Sequence, residues 1–306
     1  MLPRFRPMLA FSAEPFDSDD HLFEVKWDGI RALAYLDGQT RLISRRNTDL
    51  SPRYPELEGM HRHLKDRAVV DGEIVCLVEG KPSFYCLQQR NLRGTSAYPV
   101  VYIAFDLLYY GSKDLCSLPL IERKELLQRS LAPGGSVALS GFIPARGIDY
   151  YQAAAAQDLE GVMAKEISSP YLSGRRSRSW LKIKVRRVLS LVIGGYLATN
   201  SALKSLLLGA KDSQGLRYIG AVGSGFTEQE RIDLVHRLAE LSIPSPMFLG
   251  VPSHIARRAR WTKTELTCRV EYLELTPEGF LRHATYKGLT CSPCDPFPKE
   301  VQSLDQ

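Results

Sequence analysis

Two runs of strand character flank Lys26, and the gap between them has room only for a turn. Residues 22–26 form the first run. Residues 31–36 form the second, with Ala32, Ala34 and Leu36 on one face and Leu33 and Tyr35 on the other. Asp37-Gly38 is a two-residue hairpin signal, and residues 40–44 return. Strands this close in sequence pair antiparallel, because a parallel pair needs a crossover of a dozen or more residues. The expectation is a meander, with Lys26 at the end of one strand and Arg31 pointing from the next.

The same reading continues along the chain. Residues 3–20, rich in Pro and Asp, form an extended lead-in. Ser44-Arg45-Arg46-Asn47 is a polar turn, and residues 55–64 suit a helix. Residues 68–78 read as a buried strand interrupted by Asp71-Gly72-Glu73. Residues 83–91 suit a helix, and residues 100–108 are a nearly continuous apolar strand holding one acid, Asp106. Residues 119–131 form an amphipathic helix opened by proline, a favoured first-turn residue. An Ala-rich helix at 150–158 leads into a turn and short strand at 159–165. Residues 180–185 alternate with Lys182 and Lys184 on one face, the period of a half-buried strand.

After Arg186-Arg187 the character changes. Strand runs at 189–196, 203–209 and 216–222 are separated by Gly, Asn, Ser and Asp. Thr227 and Glu230 form a capping box that opens a helix, with a stripe of Ile232, Val235, Leu238 and Leu241. Strands return at 267–275 and 280–283. Five short strands with one helix suit a small barrel of the OB type. The boundary falls near residue 187, in a chain whose 306 residues suffice for two ordinary domains.

Composition narrows the function classes. Hydrophobic content of 44% and charged content of 24% are globular values. No apolar run approaches a membrane span, and the basic N-terminus lacks a signal-peptide core. A cytoplasmic protein with no membrane partner is expected. Its six cysteines are then expected to be reduced. Cys291-x-x-Cys294 has no second pair to complete a zinc site, and the surrounding prolines argue against a redox motif. The net charge of +6 is concentrated: Arg175, Arg176, Arg178, Lys182, Lys184, Arg186 and Arg187 fall within thirteen residues that contain no acid. Arg257, Arg258, Arg260 and Lys263 form a second run. Such clusters favour phosphate binding over a merely solvated face.

A lysine can act as a nucleophile toward a nucleotide if it is neutral, and nearby cations and partial burial favour that form. Lys182 and Lys184 could supply the cations. A triphosphate also needs charge neutralisation by basic groups and a divalent metal, and the metal needs hard oxygen ligands. Glu73 and Glu160 each stand beside a glycine at a strand edge, where a carboxylate could face a cleft. Phe105 or Tyr102 could provide an aromatic surface for the base.

Taken in order, the motifs Lys26-x-Asp28-Gly29-x-Arg31, Asp71-Gly72-Glu73, Phe105-Asp106, Glu160-Gly161-x-x-x-Lys165 and Lys182-x-Lys184 resemble those of the covalent nucleotidyltransferase superfamily, the ATP-dependent polynucleotide ligases and capping enzymes. Longer segments, including residues 23–31, 101–108, 180–184, 192–196 and 279–283, are similar to the ligase modules of bacterial ligase D, the end-joining ligases. The resemblance covers nearly the whole chain. It implies an α+β fold: a nucleotidyltransferase (adenylation) domain of antiparallel sheets with flanking helices over residues 1–187, then a C-terminal OB-fold β-barrel over 188–306 that closes on nucleotide and then on DNA.

The resemblance also implies roles. Lys26 would carry AMP from ATP, and Glu24 would read the adenine amino group. Arg31 and Arg45 would hold ribose and phosphates, including the 5′-phosphate of a nick. Glu73 would bind the ribose or a metal, Phe105 would stack on adenine, and Glu160 would bind the divalent cation, Mg or Mn. Lys182 and Lys184 would contact the α-phosphate and assist proton loss from Lys26. The implied activity is sealing of nicked double-stranded DNA through lysyl-AMP and DNA-adenylate intermediates, by a monomer, in repair or end joining. Ku-type or polymerase repair factors are the implied protein partners. RNA ligation or capping is the alternative with the same chemistry, and DNA-end binding without turnover is the alternative of another class.

The sequence departs from the family in one place. The family's final motif runs Gly-Leu-Arg-x-Asp-Lys, whereas Gly288-Leu289 is followed here by Thr290-Cys291-Ser292-Pro293. Arg282, His283 and Lys287 are the basic residues at hand. Slow self-adenylation with later steps intact is the expectation, in a ligase core that carries no polymerase or phosphoesterase module.

Overall fold

A computed structural model describes residues 2–93, 98–199, 202–276 and 278–296. The chain divides into two compact units, Met1–Val185 and Arg186–Gln306.

Two sheets make up the first unit. One is built from β1 (Leu9–Ser12), β2 (Ser18–Val25), β10 (Phe142–Ala145), β11 (Gly161–Glu166) and β12 (Arg176–Lys184), in the order β1-β12-β11-β2-β10. The other is built from β3 (Ile30–Leu36), β4 (Thr40–Ser44), β5 (Ala68–Val78), β7 (Val100–Tyr110) and β8 (Lys113–Asp114), in the order β4-β3-β5-β7-β8. Short strands β6 (Lys81–Pro82) and β9 (Val137–Leu139) add to β5 and β7. Part of the expected lead-in is therefore a strand: β1 pairs in parallel with β12.

The expected meander through Lys26 does not form, because β2 and β3 belong to different sheets. The Lys26 N–H donates to the Gly161 carbonyl at 2.9 Å, which extends the first sheet's pairing by one step. The Trp27 indole N–H donates to Ser140 Oγ at 3.1 Å. By Gly29 the chain already lies against β5, so closely that a Cβ there would run into the Ile74 carbonyl oxygen. The Asp28-Gly29 step is thus a crossing between layers.

Alternation along β3 explains how the layers stack. Ala32, Ala34 and Leu36 join a core with Val70, Ile74 and Leu107 on one side of their sheet. Leu33 and Tyr35 point the other way, into a core with Val69, Phe105, Tyr171 and Trp180. Trp180 comes from β12, so this second core lies between the two sheets. Helices α1 (Phe84–Arg93), α2 (Leu120–Ser130) and α3 (Gly147–Ala156) flank them. Pro119 caps α2 from just outside the helix. The helix expected over residues 55–64 is a 3-10 helix, Pro55–His63; Gly59 at its centre weakens α-helical propensity.

The thiol expectation also needs correction. Cys76 on β5 and Cys86 on α1 are joined as a disulfide, with a Cα–Cα separation of 6.0 Å. The turn through β6 folds α1 back over β5, so two cysteines ten residues apart meet. Cys116, Cys268, Cys291 and Cys294 are free.

The second unit is an antiparallel sheet of β13 (Arg187–Thr199), β14 (Ala202–Asp212), β15 (Gly215–Val222), β16 (Ser242–Ile243) and β17 (Arg260–Tyr272), in the order β15-β14-β13-β17-β16, with β20 (Thr285–Thr290) paired to β17. A small ladder joins β18 (Glu274–Leu275) to β19 (Leu281–Arg282). This layout is the OB-type arrangement that was expected. Helix α4 (Glu228–Glu240) starts at Thr227, with both bonds of the capping box in place. Its buried residues are Leu234 and Leu238, which pack on Leu206, Leu208 and Ile219. The expected stripe is shifted: Ile232 is 52% exposed. The cap sets the phase of the first turn, and Leu234 and Leu238, four apart, then face the sheet. Among the described residues, no helix is long and apolar enough to cross a membrane.

Candidate active site

Strand register assembles the site within the first unit. Across β12, β11 and β2, Lys182 stands opposite Met163 and Met163 opposite Glu24. Lys165 stands opposite Trp180, and Gly161 opposite Lys184. Alternation therefore sends Lys182, Lys184 and Trp180 to one face with Lys165 and Glu24. Glu160 is fixed at the start of β11, where its carbonyl accepts from Val185 N–H at 3.0 Å. Gly161 is required next to it: its φ is +151° and a Cβ would strike the Ile183 carbonyl. Glu160 binds two lysines, with Oε2 in contact with Lys26 Nζ and Oε1 3.1 Å from Lys184 Nζ. Lys182 and Lys184 were expected to be the charged groups beside Lys26. The Glu160 carboxylate touches it, and Lys182, lowered first by its own burial, lies near enough for the charge of Lys26 to lower it further.

The facing sheet supplies the other wall. Arg31 on β3 is the register partner of Glu73 on β5. Its guanidinium donates to both oxygens of Asp71, at 3.0 and 2.6 Å, and to the Met8 carbonyl at 2.7 Å. The Tyr171 hydroxyl donates to the same carboxylate at 2.7 Å. On β7, Asp106 pairs with Asp71 and Ala104 with Gly72, which leaves Phe105 as the extra residue of a bulge. Bulges re-aim side chains, and the Phe105 ring turns toward the first sheet to meet Trp180 edge-on, with centroids 6.2 Å apart. Lys165 Nζ lies 4.2 Å from both ring centroids, and the Arg31 guanidinium 5.3 Å from both.

These walls enclose a cavity of about 360 Å³, and it brings together Lys26, Lys182, Lys184, Glu24, Arg31, Arg45, Glu73, Phe105 and Glu160. Arg45 reaches it from the exposed turn after β4. Tyr102, the other aromatic candidate, is fully buried elsewhere, its hydroxyl 2.9 and 3.0 Å from the Ala32 and Val70 carbonyls. Residues given no site role from the sequence also line the cavity, Trp27, Met163 and Trp180, together with Arg176 of the basic cluster. Trp180 was legible as the apolar member of the Lys182/Lys184 alternation. Lys165 lines it as well, with Nζ donating to Glu24 Oε2 at 2.9 Å.

Burial shapes the electrostatics. It pushes the Glu73 carboxyl up to about 8, against the pull of Arg31 and Lys26. Burial also brings the Lys165 ammonium down to about 8; Glu24 resists this and Lys124 adds to it. Lys182 is lowered by burial, then by Lys184 and Arg176. For Arg31 burial opposes the charge, and Asp71 more than offsets it, so the guanidinium is held charged. Among the described residues no group of three His, Cys, Asp or Glu could hold a metal by itself. Glu73 and Glu160 on one cavity still fit a Mg-type ion, which takes one or two carboxylates and completes its shell with water and phosphate oxygens.

In the second unit, Gly288-Leu289 lies on β20, with Leu289 opposite Cys268 of β17. Lys287 is 3.3 Å from Glu271, which also receives Arg186 at 3.0 Å.

Comparison with known proteins agrees with this geometry. A family described as "ATP dependent DNA ligase domain" matches residues 7–184, and "ATP dependent DNA ligase C terminal region" matches 199–290. The multifunctional non-homologous end joining DNA repair protein LigD of Mycobacterium tuberculosis is 38% identical over 287 residues, covering 91% of this chain. The chain spans only 37% of that relative's length. DNA ligase C1 of Mycolicibacterium smegmatis is 32% identical, with 88% of this chain and 84% of that protein covered. The crystal structure of the ligase domain from M. tuberculosis LigD superposes with a TM-score of 0.58 at 34% identity, covering 94% of this chain and 95% of that one. The Lys26 cavity lies inside the first matched segment, more than half of the sequence, and on that ground the chain belongs to the ATP-dependent DNA ligase family.

Proposed function

We propose that this chain seals 5′-phosphate/3′-hydroxyl nicks in double-stranded DNA, with residues 1–187 as the adenylation domain and 188–306 as the OB-fold domain. Lys26 Nζ attacks the α-phosphorus of ATP; the P–N bond forms as the bond to pyrophosphate breaks, and the amine's proton leaves toward Glu160, in contact with Nζ. AMP then passes to the DNA 5′-phosphate, and the 3′-hydroxyl displaces AMP to close the backbone. Each step is an in-line displacement, so positioning and charge stabilisation carry the catalysis. Lys182 and Lys184 contact the α-phosphate. Arg31 and Arg45 hold ribose and phosphates, Glu24 reads the adenine amino group, and Phe105 packs against the base. Glu73 and Glu160 would hold a divalent cation, Mg or Mn, which supplies neutralisation of phosphate charge when bound.

The single observation that carries this reading is the convergence of all nine residues, drawn from two sheets, on one cavity around Lys26. The name of the LigD relatives supports a context in non-homologous end joining, and Ku-type or polymerase factors are the protein partners proposed within it. Incubation with labelled ATP or GTP and then nicked DNA or RNA tests the substrate class. Sealing of nicked DNA with ATP is the expected result, and labelling by GTP alone would contradict it.

A further inference from the structure

Just after Lys26 the chain leaves the first sheet for the second. It makes a second such crossing far away in sequence. β9 ends at Leu139, the register partner of Ala104 on β7 in the second sheet, and β10 begins at Phe142, the register partner of Glu24 on β2 in the first. Only Ser140 and Gly141 lie between them. One side-chain hydrogen bond joins the two crossings: the Trp27 indole N–H donates to Ser140 Oγ at 3.1 Å, between residues 113 apart in sequence.

Both ends of that bond are held. Ser140 is buried, and its N–H donates to the Ala104 carbonyl at 2.8 Å, on the residue before Phe105. Trp27 is partly buried and lines the cavity. The Lys26 N–H is fixed to Gly161 on the first sheet. One residue on, Trp27 adds an anchor that leads through Ser140 to β7 on the second. The backbone that carries the Lys26 side chain is thus tied to both walls of the cavity. Glu160 touches only its tip, Nζ. A lysine side chain is a flexible four-carbon stem, so a fixed root narrows the positions open to Nζ. A partly buried indole N–H needs a partner in any fold, but this one takes a partner that sits on the opposite crossing.

We infer that Trp27 and Ser140 form a brace between the two crossings and are positioning residues that hold Lys26 for in-line attack. In the motif Lys26-x-Asp28-Gly29 the tryptophan is the unspecified position, and Ser140 belongs to no motif. Ser140 is not among the residues lining the cavity and acts through Trp27 and the Lys26 backbone. The brace rests on the proposed reading of Lys26 as the nucleophile.

The test is single-turnover transfer of labelled AMP from ATP, with Mg, to Lys26 of the full chain. The rate at saturating ATP is separated from the ATP concentration that half-saturates it. Trp27→Phe keeps a ring on the cavity wall and removes the N–H; Ser140→Ala removes the acceptor and keeps the backbone bond to Ala104. Each slows transfer at saturating ATP about 3- to 10-fold, the worth of one neutral hydrogen bond, and leaves half-saturation within about twofold. The double variant is no slower than the slower single one, because both changes remove the same bond. A bond that serves the fold alone would lower the melting temperature and leave the saturated rate unchanged at temperatures where the variant is folded, and that result overturns the brace. Losses that multiply in the double variant, or a loss confined to half-saturation, overturn it as well. If Ser140→Ala does not fold, the split between rate and half-saturation in Trp27→Phe decides. A parent chain that takes up no AMP on Lys26 removes the reading of Lys26 and the brace with it. A parent that labels, beside folded variants that label as fast, removes the brace alone.

Discussion

Asp71 is, with Asp106, among the most heavily committed acids described in the first unit. Fully buried, it accepts two bonds from Arg31 and one from Tyr171. Removing one partner of a buried pair leaves the other uncompensated. Asp71→Ala is therefore expected to cost on the order of 3–5 kcal/mol in urea unfolding, well above a surface carboxylate. Glu73, two residues on, makes a different prediction. Its folded pKa of about 8 lies above its ordinary 4.5. Between these values the native state binds more protons than the unfolded state, so stability falls as pH rises through that window. Unfolding measured from pH 4 to 9 should show this decline relative to Glu73→Gln, and a flat difference would contradict it. At this scale the sequence was legible where spacing carried the signal, as for Lys26, Glu160 and Lys182. Lys124 gave none: a lysine on an amphipathic helix reads as solvated, and only the contacts of its ammonium with Glu24, the Phe105 carbonyl and the Phe142 ring show otherwise.

Most strands could be read from alternation, because alternation reports which residues face a core. Sheet membership could not, because a four-residue link serves a hairpin and a crossing between layers equally well. Gly29 decides in favour of the crossing. Gly29→Ala has to displace the Ile74 backbone, and is expected to destabilise by about 1–3 kcal/mol or more, as overpacking does. The cap of α4 was legible to the residue, but its buried face was not, since Ile232 and Leu234 are equally apolar. Chemical denaturation distinguishes them. Leu234→Ala should cost about 2–5 kcal/mol, Thr227→Ala about 1 kcal/mol, and Ile232→Ala, half exposed, less than about 1 kcal/mol.

Over the whole molecule the excess positive charge is unevenly spread, and Arg175, Arg176 and Arg178 are exposed on and beside β12, the strand that also delivers Lys182 and Lys184. Binding of nicked DNA through such groups releases counterions, so affinity should fall linearly in log–log salt plots. Replacing Arg175 and Arg178 with Ala should flatten that slope by about 2. An unchanged slope would show that this face does not meet the DNA phosphates. The central claim concerns Lys26, and mass spectrometry tests it directly. After incubation with ATP and Mg, peptide mapping should find AMP covalently attached to Lys26, and the adduct should disappear when nicked DNA is added. An adduct on another residue, or a Lys26→Ala variant that still seals nicks, would contradict the account.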